Sequence, residues 1–167
     1  SRRGQARFGN AVYTYRPDFT SGDYREAVVD EGDGYVTFGF LTPYVIAATP
    51  PNEKPWGIYD GGCKNGLVIS TDVVADESAP KVWVSVDRGK TWSDETRLRN
   101  ELDLTDAVKG YRQYFLRFGA SARDLAKYAP TITTVCQANP ATMPRLADRK
   151  TTVRFRAGGK ALVSAGL

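Results

Sequence analysis

A chain of 167 residues, 41% hydrophobic and 25% charged, suits one domain with a sizeable core. It contains no histidine, which excludes Ser-His-Asp triads, Cys-His dyads and His-ligated zinc. Its net charge of +4 (pI about 9.1) is spread along the chain, from Arg2, Arg3 and Arg7 to Arg154 and Arg156, rather than gathered in one block. Scattered charge argues against a nucleic-acid footprint, and no apolar run approaches the ~20 residues of a membrane helix.

The elements follow in chain order. Residues 9–15 read as a first strand, 16–23 as a loop, 24–29 as a short strand and 30–34 as a turn. Tyr35 to Leu41 alternates, with Val36, Phe38 and Phe40 on one face. Residues 44–48 are strand-like. Three prolines between Thr49 and Gly57 remove backbone donors, so 49–66 is expected to be a loop. Strands are expected at 67–73 and 81–86. Residues 102–106 read as a loop or a single helical turn. Residues 111–118 alternate again as a strand. Ala120 to Tyr128 reads as a short helix with Ser121 as N-cap, ended by Pro130. A strand at 132–137 and a loop at 139–146 follow. Residues 151–156 and 160–164 suggest a hairpin about Ala157-Gly158-Gly159.

Many short strands, one small helix and no internal repeat predict an all-β fold. The expectation is a two-sheet antiparallel β-sandwich of jelly-roll type, with 1–167 as a single module. The chain begins Ser1-Arg2-Arg3 and its one methionine is Met143, which suggests a processed form or a module of a longer chain. Cys63 and Cys136 could close a loop of about 74 residues, for a few kcal/mol by the loop-entropy account, or could be two buried thiols.

Ser85-Val86-Asp87-Arg88-Gly89-Lys90-Thr91-Trp92 resembles the Asp-box, Ser/Thr-x-Asp-x-Gly-x-Thr-Trp, of sialidases and other secreted sugar-handling proteins. In this pattern Asp87 bonds backbone N–H groups across a tight turn, Gly89 takes positive φ, and Trp92 returns to pack over the hairpin. Sialidases carry such boxes away from their catalytic centre, so the motif implies a hairpin first and sugar biology second. A broader resemblance rests on Trp83-Val84-Ser85-Val86-Asp87, then Gly89-Lys90-Thr91-Trp92, then Leu104-Thr105-Asp106-Ala107-Val108-Lys109-Gly110-Tyr111 and on to Phe118. With the tail Gln137-Ala138-Asn139-Pro140 and Pro144-Arg145-Leu146, this order is similar to galactose-binding-like sandwich modules of large secreted bacterial proteins. It implies a bacterial secreted or cell-surface protein and supplies no set of binding residues.

Candidate ligand-binding residues come from chemistry. A sugar ring presents C–H bonds that sit on an aromatic face, while polar neighbours fix its hydroxyls. Trp56, Tyr59 and Asp60 offer this mixture on the Pro/Gly-rich loop, although Trp56 would equally cap an open end of the core. Trp83 alternates against Val82 and Val84, so it should face away from the core, open as a platform or covered by the 50–66 loop. Tyr111, Gln113, Phe115 and Arg117 share one strand face. On an open sheet Arg117 could take a carboxylate, sulfate or hydroxyl. On a second buried sheet, the preferred reading, Phe115 is core and Arg117 an edge residue.

No cofactor is expected to be required. The acidic run Asp30, Glu31 and Asp33, and the looser group Asp72, Asp76 and Glu77, keep structural calcium as an option, although the first lacks EF-hand spacing. The functional expectation is a non-catalytic, lectin-like module tethered in a longer chain. Its partner would be an oligosaccharide or polysaccharide, an anionic one being compatible with the net charge, and neither nucleic acid nor membrane. The alternatives are a catalytic fragment of a glycoside hydrolase or polysaccharide lyase, and a ligand-free structural or interaction domain.

Overall fold

The computed structural model describes residues 9–49, 61–74, 76–138 and 161–164. Eleven strands are present among them: β1 (Gly9–Tyr15), β2 (Val28–Gly32), β3 (Tyr35–Leu41), β4 (Tyr44–Val45), β5 (Leu67–Ser70), β6 (Lys81–Ser85), β7 (Thr96–Arg97), β8 (Leu102–Asp103), β9 (Gln113–Phe118), β10 (Thr131–Ala138) and β11 (Ala161–Ser164). Two short helices accompany them, α1 (Thr105–Val108) and α2 (Ala122–Leu125).

The strands form two antiparallel sheets. One runs β11-β1-β10-β5-β8, with β4 pairing beside it on β10, and the other runs β2-β3-β9-β6-β7. The pairs β1·β10, β3·β9, β5·β8 and β6·β7 are nested one inside the next along the chain. A long hairpin folded over on itself gives this nesting, so the sandwich is of jelly-roll type, as predicted.

Alternation decides which side of each strand is buried. From the first sheet, Tyr15, Leu67, Ile69, Ile132 and Cys136 point inward. From the second, Val36, Phe38, Val82, Val84, Tyr114, Leu116 and Phe118 meet them. The layers interlock through rings: Tyr15 lies edge-on to Phe38 and Phe40 at 5.9 and 5.6 Å, and Phe38 to Phe118 at 6.0 Å. One polar contact crosses the core, between Tyr114 Oη and Thr134 Oγ1 at 2.7 Å, and both residues are buried. Tyr114→Phe should therefore cost about 1–2 kcal/mol by leaving the threonine hydroxyl without its buried partner. Chemical denaturation checks this.

Several predicted boundaries shift. Residues 23–27 form a 3₁₀ turn rather than the start of a strand. Gly22 enters it at φ +83, and Tyr24 packs on Phe19 at 5.0 Å, so local packing overrides the strand-like composition. The strand expected at 67–73 ends at Ser70. Residues 102–106, read as a loop or a single helical turn, supply the two-residue strand β8 and the start of the single turn α1. Ser121 does cap α2, accepting from Asp124 N at 3.2 Å. The helix continues as a 3₁₀ turn to Tyr128 and closes at Ala129 in the left-handed region, φ +44, before Pro130. Residues 161–164 pair with β1, and their expected partner strand 151–156 lies outside the described residues, as does the 139–146 loop.

Cys63 and Cys136 are both buried thiols, with no disulfide between them. Burial raises the Cys136 thiol to about 11, so it stays protonated at neutral pH.

Candidate functional site on the outer face of the five-stranded sheet

The side chains that alternate out of the second sheet form a continuous surface across β2, β3, β9 and β6. Register places Asp30 opposite Thr37, Thr37 opposite Arg117, and Arg117 opposite Trp83. One cross-strand row therefore reads Asp30, Thr37, Arg117, Trp83. Cross-strand neighbours on one face lie close enough to interact directly.

Arg117 organises this row. Its Nε donates to Thr37 Oγ1 at 2.9 Å and its Nη2 to Asp30 Oδ2 at 3.1 Å. Its guanidinium lies 4.3 Å from the Trp92 ring centroid and 4.8 Å from that of Tyr35. The Asp30 carboxylate also accepts from Tyr35 Oη at 3.2 Å, and this bond, with partial desolvation, raises the tyrosine pKa. One arginine and one aspartate thus fix two rings on an open sheet face.

Two glycines make room for this surface. A side chain at Gly39 would strike Val29 at 2.6 Å and Phe115 at 3.2 Å, and one at Gly119 would come within 3.1 Å of Trp83. Phe115 and Trp83 can lie low on the sheet because these positions carry no Cβ. Both aromatics remain half-buried, with one part packed and one part open.

The 85–92 turn delivers Trp92. Asp87 is its hub: Oδ1 accepts from Thr91 N at 2.9 Å and Ser85 Oγ at 2.8 Å, and Oδ2 accepts from Thr91 Oγ1 at 2.7 Å. Ser85 Oγ accepts in turn from Gly89 N at 2.8 Å. Arg88 and Gly89 hold φ +64 and +82, so two consecutive left-handed residues reverse the chain where only Gly89 had been expected to. Ser93 N then donates to Val84 O at 2.8 Å, which starts the return strand.

The Thr91 hydroxyl, then the Thr91 backbone N–H, then Ser85 hold the Asp87 carboxylate down at about 2. A depressed folded-state pKa contributes stability above the unfolded value of ~3.9, and that contribution is lost as pH falls through about 2. Asp87→Asn should therefore lower the melting temperature at pH 6, and the gap from wild type should close between pH 4 and pH 2. Thermal melts across that range test this.

Trp83 faces outward, as its alternation against Val82 and Val84 predicts. The preferred reading of Phe115 and Arg117 is corrected: they lie on the open face, and Tyr114, Leu116 and Phe118 are the core side of β9. Tyr111 precedes the strand. Trp56, Tyr59 and Asp60 lie outside the described residues. Tyr35, Trp92, Asp30 and Thr37 were not among the predicted site residues. Tyr35 could have been found from its phase, opposite to Val36 and Phe38. Asp30 could not, because its partner lies 87 positions away.

Four of the six acidic residues considered for calcium serve other partners. Asp30 engages Arg117, Glu31 lies 3.5 Å from Arg25, Asp72 pairs with Arg16, and Asp76 accepts from Ser78 N at 2.8 Å. Among the described residues no group of three or more metal-ligating side chains converges.

On the other sheet, a polar cleft of about 530 Å³ is bounded by Lys64, Asn65, Arg99, Glu101, Asp103 and Asp106. Its aspartates brace the chain: Asp103 accepts from Asn65 N at 2.7 Å and Thr105 N at 2.9 Å, and Asp106 from Lys109 Nζ at 2.6 Å. Lys109 chiefly, and Gly62 N, lower the Asp106 pKa.

Comparison of the chain with protein-family models, curated proteins and solved structures gives no match.

Proposed function

We propose that this chain is a non-catalytic carbohydrate-binding module of a secreted or cell-surface bacterial protein, and that the glycan lies on the outer face of the five-stranded sheet. The observation that carries this reading is the register of Trp83 against Arg117, with Arg117 held between Trp92 and Tyr35. Half-open rings fixed on a rigid sheet offer stacking surface with little ordering cost, which suits the C–H face of a sugar. Asp30 and Arg117 place polar atoms beside those rings, where hydroxyls of a stacked sugar would lie, and the buried Thr37 hydroxyl anchors Arg117 from beneath. The Asp-box-like turn supports the reading by positioning Trp92.

A glycosidase acid needs a raised pKa and a second carboxylate across a cleft. Among the described residues the carboxylates whose pKa moves, Asp76, Asp87, Asp106 and Asp124, all move down. A glycan array with hydrolysis monitored in parallel tests the proposal. Binding without turnover is expected. Turnover would establish the enzymatic alternative, and silence in both assays the ligand-free one.

A further inference from the structure

We infer that this face selects uncharged sugars, and that Arg117 is a positioning residue for Trp92 and Tyr35 rather than a receptor for an anionic group. The inference rests on the carbohydrate-binding reading above and narrows its ligand class. An arginine captures a carboxylate or sulfate by turning a free N–H fork towards it. Part of the Arg117 fork already donates to Thr37 and Asp30, and its guanidinium is stacked against Trp92 and Tyr35. An incoming anion would have to displace Asp30 or lie beside it, and like charges in contact repel.

The rest of the face does not restore a positive field. Lys81, outward on β6, pairs with Glu95 at 2.9 Å. Arg88 donates to Gln113, which is four residues from Arg117 along β9. Gln113 lies roughly 13 Å from Arg117 at the rise of a strand, so the Arg88 charge bears on the far end of the face, next to the 85–92 turn, rather than on the surroundings of Arg117. The chain's net charge of +4 therefore says little about this surface. Around Arg117 the face offers ring area and charges that are already paired.

Isothermal titration of the intact chain with neutral oligosaccharides (gluco-, manno-, xylo- and galacto-configured) and anionic ones (oligouronates and sulfated oligosaccharides) tests the inference. A neutral probe should bind, with Kd changing by less than about twofold between about 50 and 500 mM NaCl because no net charge is neutralised. Asp30→Asn exposes the Arg117 charge and should tighten anionic probes by roughly two- to fivefold, the scale of an exposed ion pair, with no gain for neutral ones. Preference of the wild type for an anionic probe, weakening steeply with salt and lost in Arg117→Gln, would overturn the inference and leave carbohydrate binding standing. No binding of any probe by a chain with an intact circular dichroism spectrum would remove both. Should Asp30→Asn not fold, the wild-type salt series alone decides.

Discussion

Replacing Phe38 by alanine should lower the unfolding free energy by about 3–5 kcal/mol, the cost of emptying a large buried aromatic site. Phe38 is fully buried at the centre of the sandwich, and its ring touches Tyr15 from the opposite sheet and Phe118 from the neighbouring strand. Those partners belong to β1 and β9, one in each sheet, so the vacancy opens between both layers and cannot collapse by moving one strand. Denaturant unfolding followed by intrinsic fluorescence measures the loss. A cost below about 1 kcal/mol, the level of an ordinary surface substitution, would mean that this ring is not part of the inter-sheet core.

The second large effect separates binding from stability. Trp83→Ala should weaken glycan binding by about 1–3 kcal/mol, the scale of an aromatic anchor, with little change in melting temperature, because Trp83 packs outside the core against Gly119. Trp92→Ala should lower both. It removes a stacking surface, and it also strips one ring from Arg117 and the cover from the 85–92 turn. Equal loss of binding and stability in the Trp83 variant would identify that ring as packing rather than platform.

The contrast between these residues also shows where the sequence was legible. Val82 and Val84 flank Trp83 with apolar side chains of one phase, so a single strand determines its direction. Residues 113–118 give no such signal, because Tyr114, Leu116 and Phe118 compete with Phe115 for the core. The choice is made by distant residues: Gly39 clears space for Phe115, and Asp30 and the buried Thr37 hold Arg117 on the outer face. Nothing local to β9 encodes those partners. The 85–92 turn lies at the other extreme. Its hydrogen bonds close within ten residues, from Val84 to Ser93, and the sequence alone predicts that Asp87 takes backbone N–H groups there. It does not reveal that Trp92 would cover an arginine as well as a hairpin. Tyr24 fails for a similar reason, since Phe19 and the entry at Gly22 turn a strand-like run into a 3₁₀ turn. The strand periods thus carried the architecture, and the site emerged only once two sheet faces could be told apart.

The most direct measurement is a residue-resolved nuclear magnetic resonance titration of the intact chain with an oligosaccharide that binds it. Binding on the outer face of the five-stranded sheet predicts shifts at the indole N–H groups of Trp83 and Trp92 and at the amides of Tyr35, Phe115 and Arg117. Lys64, Asn65 and Glu101 at the cleft on the other sheet should stay unmoved. Shifts confined to that cleft, with Trp83 and Trp92 unchanged, would contradict the account.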